Sequence, residues 1–198
     1  MKQKILQLIA QEIEAIKGIP VDESFEKAIA LIHAAVHQGQ GKVVAAGIGK
    51  AGHIAHNIAM TLSSTGTRAV FIHPTEAQHG DLGILGPQDI LLLLSNSGKT
   101  REVLELLHLA KNLYPQMKTI CITGNKEGEL ALAADVALWT GGGKEIDRFA
   151  LVPTTSTTLM TVIGDILVVE LMEKIDFTKD QYYRLHHSGY IGQQIRKS

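Results

Sequence analysis

Five consecutive apolar residues at positions 90–94 are followed at once by a polar segment, Ser-Asn-Ser-Gly-Lys-Thr, at positions 95–100. Five residues are too few to span a membrane. A short apolar run with polar ends is typical of a strand buried on both faces of a parallel sheet. From Val103 and Leu104 onward, the apolar residues have helical spacing. The sequence therefore predicts a strand, a turn and a helix, which points to an α/β fold.

The turn at residues 95–100, called the hydroxyl loop below, has the features of a phosphate site. Free amides and the positive end of a helix dipole attract anions, and the hydroxyls of Ser95, Ser97 and Thr100 can add donors. A nucleotide P-loop would need a glycine five residues before Gly98, and position 93 is Leu. We therefore predict a site for a single phosphate monoester. A helix cap without a ligand is the alternative.

The composition of the whole chain excludes several classes of function. With 198 residues, of which 45% are hydrophobic, the chain can bury the core of one domain. A net charge of -1 without a basic run does not favour nucleic acid or an anionic membrane as partner. The N-terminus lacks a signal-peptide cleavage site, and the single cysteine, Cys121, fits a reducing compartment. We expect a cytoplasmic protein.

Apolar periodicity predicts strands that alternate with helices. Two amphipathic helices precede the first strand, and a long apolar helix over about residues 155–175 follows the last. The strands are predicted at residues 42–47, 69–72, 90–94, 118–123 and 136–139. This order indicates a three-layer α/β/α sandwich around a five-stranded parallel sheet of the flavodoxin-like type. We expect one domain over residues 1–198, with N-terminal helices in 1–38, a core in 40–176 and a helical tail in 177–198.

A glycine-rich turn follows the first predicted strand. Gly47, Gly49 and Gly52 have the spacing of a dinucleotide-binding turn, so a nicotinamide-dependent oxidoreductase is an alternative. That fold places an acidic residue at the end of the next strand, where this chain has His73. A glycine turn that contains Lys50 suits a small phosphorylated ligand equally well.

The segment at residues 73–83 is rich in groups that titrate or bind metals. His73, Glu76, His79 and Asp81 could form a zinc site, although they lack the His-Glu-x-x-His spacing. An ordered loop whose histidines make hydrogen bonds is the alternative.

Many short motifs occur in order along the chain. They are Gly-Ile-Gly-Lys-Ala-Gly-His ending at His53, Ser-Thr-Gly-Thr ending at Thr67, the histidine-rich segment at 73–83, Pro-Gln-Asp ending at Asp89, Ser-Asn-Ser-Gly ending at Gly98, Ile-Cys-Ile-Thr-Gly ending at Gly124 and Pro-Thr-Thr-Ser-Thr-Thr ending at Thr158. With these motifs, the chain resembles the sugar isomerase (SIS) domain of D-arabinose-5-phosphate isomerases over about residues 40–190. The resemblance implies interconversion of D-ribulose 5-phosphate and D-arabinose 5-phosphate, which supplies Kdo, the eight-carbon acidic sugar of lipopolysaccharide. It also implies the short form of the family, without cystathionine-β-synthase-type domains.

The resemblance implies four catalytic residues, Lys50, Glu102, Glu145 and His187. Isomerisation through an enediolate needs a base for the proton that moves between C1 and C2, a partner for the oxyanion and help in opening the sugar ring. We assign Glu102 or Glu145 as the base, Lys50 as the oxyanion partner and His187 to ring opening.

The resemblance further implies substrate binding without a required metal or cofactor. The implied substrate-binding residues are Gly49, Gly66, Thr67, His73, His79, Ser95, Asn96, Ser97, Gly98 and Thr100. His73 is also the candidate ligand of an inhibitory zinc ion. The family is tetrameric with shared sites, so we expect a homotetramer in which the N-terminal helices and the tail pack against other subunits.

Two segments depart from the family pattern. Gly-Lys-Thr-Arg-Glu, with Lys99 and Arg101, replaces the usual Gly-Glu-Ser-x-Glu, and His187 is followed by Ser-Gly-Tyr rather than Pro-Gly-Gly. The first change adds positive charge that could tighten phosphate binding or admit a second anion. A phosphosugar sensor without catalysis and an isomerase of a six-carbon phosphosugar remain as alternatives. The presence of both glutamates favours an enzyme.

Overall fold

The sheet of this protein lies between two layers of helices in a computed structural model that describes residues 1–186. The strands are β1 Val43–Gly47, β2 Ala69–Phe71, β3 Ile90–Leu94, β4 Lys118–Thr123 and β5 Val136–Trp139. The helices are α1 Lys2–Lys17, α2 Glu23–Val36, α3 Gly49–Ser64, α4 Pro74–Ala77, α5 Arg101–Leu113, α6 Glu129–Ala133, α7 Thr155–Lys174 and α8 Lys179–Leu185, with a 3₁₀ turn at Asp81–Ile84. The predicted strands and the long helix are confirmed.

All five strands are parallel, in the order β2-β1-β3-β4-β5. This is the flavodoxin-like order, and the predicted fold class is confirmed. The central pair, β1 and β3, is in register over five residues, from Val43 opposite Ile90 to Gly47 opposite Leu94. The chain leaves β1 toward β2 on one side and β3 lies on the other. The carboxyl ends of β1 and β3 therefore border the crevice where such folds bind ligands.

The residues of β3 divide between the two faces of the sheet. Ile90, Leu92 and Leu94 belong to the core layer formed with α2, α3 and α7, and Leu91 and Leu93 belong to the layer formed with α5 and α6. All five are buried. Because both faces are covered, the strand has no polar position, which explains why its sequence is a continuous apolar run.

Helix α7 is long and apolar enough to cross a membrane by length and composition, with a mean hydropathy of 1.4. Half of this apolar window is buried inside the protein. Leu159, Ile163 and Leu167 pack into the core, and Gly164 lies so close to Ile58 of α3 that a Cβ atom would overlap it. Its composition is thus accounted for by its place in the core.

The segment after β2 is more ordered than the predicted loop. Pro74 occupies the first turn of α4 and Glu76 adds an acidic group there. Proline at this position has its backbone preset for a helix, and an acidic first turn suits the helix dipole. A four-residue helix is too short to produce the periodicity from which helices are predicted.

Two aspartates join neighbouring strands at the amino edge of the sheet. Asp89, which is 4% exposed, accepts hydrogen bonds from the Lys42 amide at 2.9 Å, the Lys42 Nζ at 2.7 Å and the Gly86 amide at 2.8 Å. Asp135 accepts hydrogen bonds from the amide and the hydroxyl of Thr119 and from the Nζ atoms of Lys111 and Lys118. Partial burial opposes ionisation of Asp135, but these bonds hold its pKa well below the ordinary value. At the amino edge of the sheet, both carboxylates are thus paired with donors of the protein itself.

We expect Asp89→Asn to lower the free energy of unfolding by about 2–3 kcal/mol, because an amide cannot replace a carboxylate that accepts three hydrogen bonds, one of them from a cation. Urea unfolding at neutral pH measures the change. Glu23→Gln is the matched control, since it removes an exposed carboxylate paired with Lys27 and should cost less than about 0.5 kcal/mol. Equal losses in the two variants would contradict a structural role for Asp89.

Candidate active site

A cavity of about 380 Å³ lies at the carboxyl edge of β1 and β3. Three segments form it: the turn between β1 and α3, the hydroxyl loop after β3 and the residues that lead into α7. Its walls bring together Lys50, Ser95, Asn96, Ser97, Thr100 and Glu145. These residues are far apart in the sequence, and parallel strand pairing places them at one edge.

The hydroxyl loop is ordered by its own side chains. Ser95 is 3% exposed, its Oγ lies 2.8 Å from the Thr100 Oγ1, and it accepts a hydrogen bond from the Gly98 amide at 3.2 Å. Gly98 has a φ of 64°, and a Cβ atom there would lie 3.2 Å from the Thr123 Oγ1. The loop is therefore compact before any ligand binds.

The amino end of α5 remains available to an anion. Thr100 is the N-cap residue, yet its side chain makes no capping hydrogen bond. The first amides of a helix have no intrahelical acceptor, and they carry the positive end of the dipole. These amides, with the hydroxyl loop beside them, form a site suited to a phosphate group.

A second helix begins at the same cavity. Gly49 opens α3 with a φ of 59°, and Lys50 follows it as an exposed residue on the cavity wall. A Cβ atom at Gly52 would collide with the carbonyl oxygen of Gly47, so the turn closes tightly on the end of β1. Lys50 thus places a cation near the amino ends of two helices, where negative charge is favoured.

Glu145 is fixed at the amino end of α7. Its Oε2 accepts the Thr154 amide at 2.7 Å, the Thr154 hydroxyl at 2.9 Å and the Ser156 amide at 3.2 Å. Burial opposes ionisation, but the hydrogen bonds from Ser156 and Thr154 hold the pKa of Glu145 below its ordinary value. Thr154 makes no side-chain cap of its own. Glu145 therefore takes the place of a cap, as an ionised group of fixed orientation.

The structure separates Glu102 from the other predicted catalytic groups. Glu102 is partly exposed in the first turn of α5 and does not lie on the wall of the cavity that contains Lys50 and Glu145. His187, predicted for ring opening, lies outside the described residues. Among residues 1–186 of one chain, two of the four predicted catalytic groups, Lys50 and Glu145, thus lie on the same cavity wall.

His73 and His79 are exposed beyond the carboxyl end of β2, on either side of α4. Neither lies on the cavity wall. Within residues 1–186, no group of three histidine, cysteine, aspartate or glutamate side chains is placed to hold a metal ion. The zinc site predicted at His73, with Glu76 and Asp81 nearby in sequence, is therefore not supported.

Gly66 and Thr67 are not on the wall of this cavity, and their role in substrate binding stays a prediction. Both precede β2 and hence belong to the amino edge of the sheet, opposite the ligand edge. Gly66 has a φ of 91°, and a Cβ atom there would come within 2.8 Å of the Phe177 ring. Thr67 is 1% exposed, and its hydroxyl lies 3.0 Å from the His37 Nε2. The contacts described for these two residues, with Phe177 and His37, are thus packing contacts at the amino edge.

The sequence interpretation missed several residues of the cavity wall, namely Leu151, Pro153, Ser156, Thr157 and Met160. The hydroxyl-rich start of α7 was a usable signal, because it follows a strand and opens a helix as the hydroxyl loop does. Leu151 had no such signal. It reaches the cavity because Asp147 accepts the amides of Phe149, Leu151 and Val152 at 2.8, 2.9 and 2.8 Å and folds the loop.

Fold and cavity together define an α/β protein with an anion site at the switch point of a flavodoxin-like sheet. The sequence profile of the SIS domain matches residues 38–170. The chain belongs to the SIS domain family.

Relatives with known names are similar over most of the chain. The Pseudomonas aeruginosa arabinose 5-phosphate isomerase KdsD is 43% identical over 175 residues, which are 88% of this chain and 52% of the relative. The Escherichia coli K12 enzyme of the same name is 44% identical over 79% of this chain and 47% of its own length. The chain thus spans about half the length of the curated relatives it matches.

Solved structures are similar over nearly their whole length. A Bacteroides fragilis protein, proposed to be a phosphosugar isomerase involved in capsule formation, is 54% identical with a TM-score of 0.94, and the match covers 96% of this chain and 99% of that one. An Escherichia coli CFT073 protein in complex with arabinose 5-phosphate is 35% identical with a TM-score of 0.84, over 93% and 95% of the two chains.

The buried contact between His37 and Thr67 predicts a pH-dependent stability. Burial, with the nearby charges of His33 and Arg68, lowers the pKa of His37 from 6.5. The unfolded chain then binds the proton more readily than the folded one, so stability is lost as the pH falls through about 6.5. We expect His37→Gln to show a smaller fall in Tm than the wild type between about pH 7.5 and pH 5. Differential scanning fluorimetry measures this, and an unchanged fall would contradict it. Substitution of the exposed His108 is the control.

Proposed function

We propose that the chain is an aldose–ketose isomerase that interconverts D-ribulose 5-phosphate and D-arabinose 5-phosphate. The observation that supports this most directly is the cavity in which ionised Glu145 and Lys50 lie beside the hydroxyl loop. The names of the KdsD relatives support the same substrate, as does the complex of a 35% identical protein with arabinose 5-phosphate.

The phosphate group of the substrate occupies the hydroxyl loop in this proposal. Ser95, Ser97, Thr100 and the first amides of α5 supply neutral donors, which can surround a dianion with several hydrogen bonds. Gly49 and Gly98 let the backbone approach the ligand, because each adopts a positive φ without a side chain. Asn96 lines the same cavity and contacts the sugar hydroxyls. A cavity of about 380 Å³ falls within the range for small ligands.

Glu145 moves the proton between C1 and C2, and Lys50 stabilises the enediolate oxygen. All of the hydrogen bonds described for Glu145 within residues 1–186 involve Oε2, which leaves Oε1 for the carbon-bound proton. A base must be ionised when substrate arrives, and the lowered pKa of Glu145 meets this need at neutral pH. Glu102 is the other candidate for the base, and His187 opens the sugar ring. No step of this mechanism uses a metal or a cofactor.

Assembly into a homotetramer completes the proposal. Helix α1 has no buried residue, and Ile5, Leu6, Ile9 and Ile13 along it are 46–55% exposed. Such a stripe is costly in water and suits contact with a second copy of the chain. A neighbouring subunit would bring His73 or His79 to the site, since these exposed histidines lie at the ligand edge of the sheet. The enzyme would act in the cytoplasm and supply arabinose 5-phosphate for Kdo and lipopolysaccharide.

The test is to incubate the protein with ribulose 5-phosphate in deuterated water with a strong chelator and to follow the products by NMR. We expect arabinose 5-phosphate with deuterium at C2, because the base removes a proton from C1, exchanges it with deuterated water and delivers deuterium to C2 of the enediolate. Absence of turnover, combined with protection of the protein against heat by the phosphosugar, would favour a sensor instead. Turnover that the chelator abolishes would contradict a mechanism without metal.

Substitution of the two glutamates locates the base. Glu145→Gln should lower kcat by about 10²-fold or more, because the amide cannot accept the carbon-bound proton. Glu102→Gln tests the other candidate in the same assay. Glu105→Gln is the matched control, since Glu105 lies on α5 outside the cavity and pairs with Arg101. Near-normal kcat in both Glu145→Gln and Glu102→Gln would overturn the assignment.

A further inference from the structure

One carboxylate outside the cavity contacts the same helix end as Glu145. Glu12, on α1, accepts a hydrogen bond at 2.8 Å from the hydroxyl of Thr155, the first residue of α7. Thr155 is 0% exposed. Glu145 binds Thr154 and Ser156, the residues on either side. Two carboxylates therefore hold three consecutive residues at the amino end of α7.

The other oxygen of Glu12 is unusual. Its Oε2 is buried, and it has no hydrogen-bond partner within the described part of the chain. A buried carboxylate oxygen without a donor costs free energy. Groups that break the rules of polar burial in this way are found where function requires them.

Helix α1 also supports the loop that carries Glu145. A Cβ atom at Gly143 would lie 3.3 Å from the Ala15 Cβ, and one at Gly141 would collide with the carbonyl oxygen of Gly18. Among residues 1–186, the bond between Glu12 and Thr155 is the only side-chain hydrogen bond that joins α1 to the rest of the protein. The position of α1, of the loop and of the first turn of α7 is thus coupled at Glu12.

We propose that Glu12 is a positioning residue for the isomerase reaction, which orients Glu145 by fixing the first turn of α7. This inference rests on the proposed function. The charged groups around Glu145 are Lys50 from α3, Glu12 and Glu14 from α1, and Lys144, Asp147 and Arg148 from its own loop. Of these groups, Glu12 is the one that contacts the same end of α7 as Glu145.

Two effects are expected from Glu12→Gln. The kcat for ribulose 5-phosphate should fall about tenfold while KM changes little. The amide oxygen can still accept the Thr155 hydroxyl, but the amide N–H group at the buried Oε2 position lacks a partner within the described residues, so the first turn of α7 shifts, and a small misplacement of a reacting group slows proton transfer strongly. The acid limb of the kcat/KM profile should move to higher pH, because the hydrogen bonds from Thr154 and Ser156 that lower the pKa of Glu145 weaken when the first turn of α7 is less well fixed. A purely structural role would lower activity without moving this limb.

Thr155 provides the second set of variants. Thr155→Val keeps the shape of the side chain and removes the hydroxyl, so kcat should fall as in Glu12→Gln, whereas Thr155→Ser restores the hydroxyl and should recover most of kcat. Glu14→Gln is the matched control, since it removes the same charge from α1 at an exposed position paired with Lys17. If Glu12→Gln fails to fold, the two Thr155 variants decide the question.

The outcomes separate the two proposals. Suppose that the wild type is active. The role of Glu12 is then overturned if Glu12→Gln has wild-type kcat and an unmoved acid limb, or if Thr155→Val has wild-type kcat. Either result would leave the isomerase proposal intact. A wild type without turnover would overturn the proposed function, and this inference with it.

Discussion

The pairing of β1 with β3 is the constraint on which the rest of the structure depends. Five residues of each strand are buried on both faces, and their register sets Gly47 beside Leu94. Because both strands end at the same level, the helices that follow them begin side by side, and their free amides and dipoles meet at one edge. The hydroxyl loop and Lys50 are neighbours for this reason, although 45 residues separate Lys50 from Ser95 in the sequence.

The polar groups at the two edges of the sheet are paired in different ways. At the amino edge, Asp89 and Asp135 accept hydrogen bonds from lysines and amides of the protein itself. At the carboxyl edge, Thr100 and Thr154 cap neither α5 nor α7 with their side chains. Glu145 supplies the missing acceptor for α7, and the end of α5 is where we propose that an anion binds. The fold thus places its internal acceptors at one edge and keeps donors at the other.

The sequence was sufficient where a local pattern encodes the structure. The apolar run at 90–94 is determined by burial on both faces, and the glycines with positive φ at 49 and 98 mark turns that need them. It was insufficient where a feature depends on which edge of the sheet a segment reaches. Gly66 and Thr67 belong to a predicted ligand motif, but the structure places them at the amino edge of the sheet, where they contact Phe177 and His37. Glu12 could not be found at all, because only tertiary packing brings α1 to Thr155, which is 143 positions away.

The capping role of Glu145 limits how the reaction can proceed. A carboxylate held by three hydrogen bonds on one oxygen cannot swing toward the substrate without giving up the cap of α7. In the proposed mechanism, the substrate must therefore come to Glu145, and the anion site that we propose at α5 is the fixed point that holds it. Because Glu145 is already in place, the protein does not need to reorganise during proton transfer. Preorganisation of this kind is the main source of electrostatic catalysis. In this mechanism the rate is also sensitive to whatever fixes α7, and for this reason we propose that the contact between Glu12 and Thr155 acts on the reaction as well as on stability.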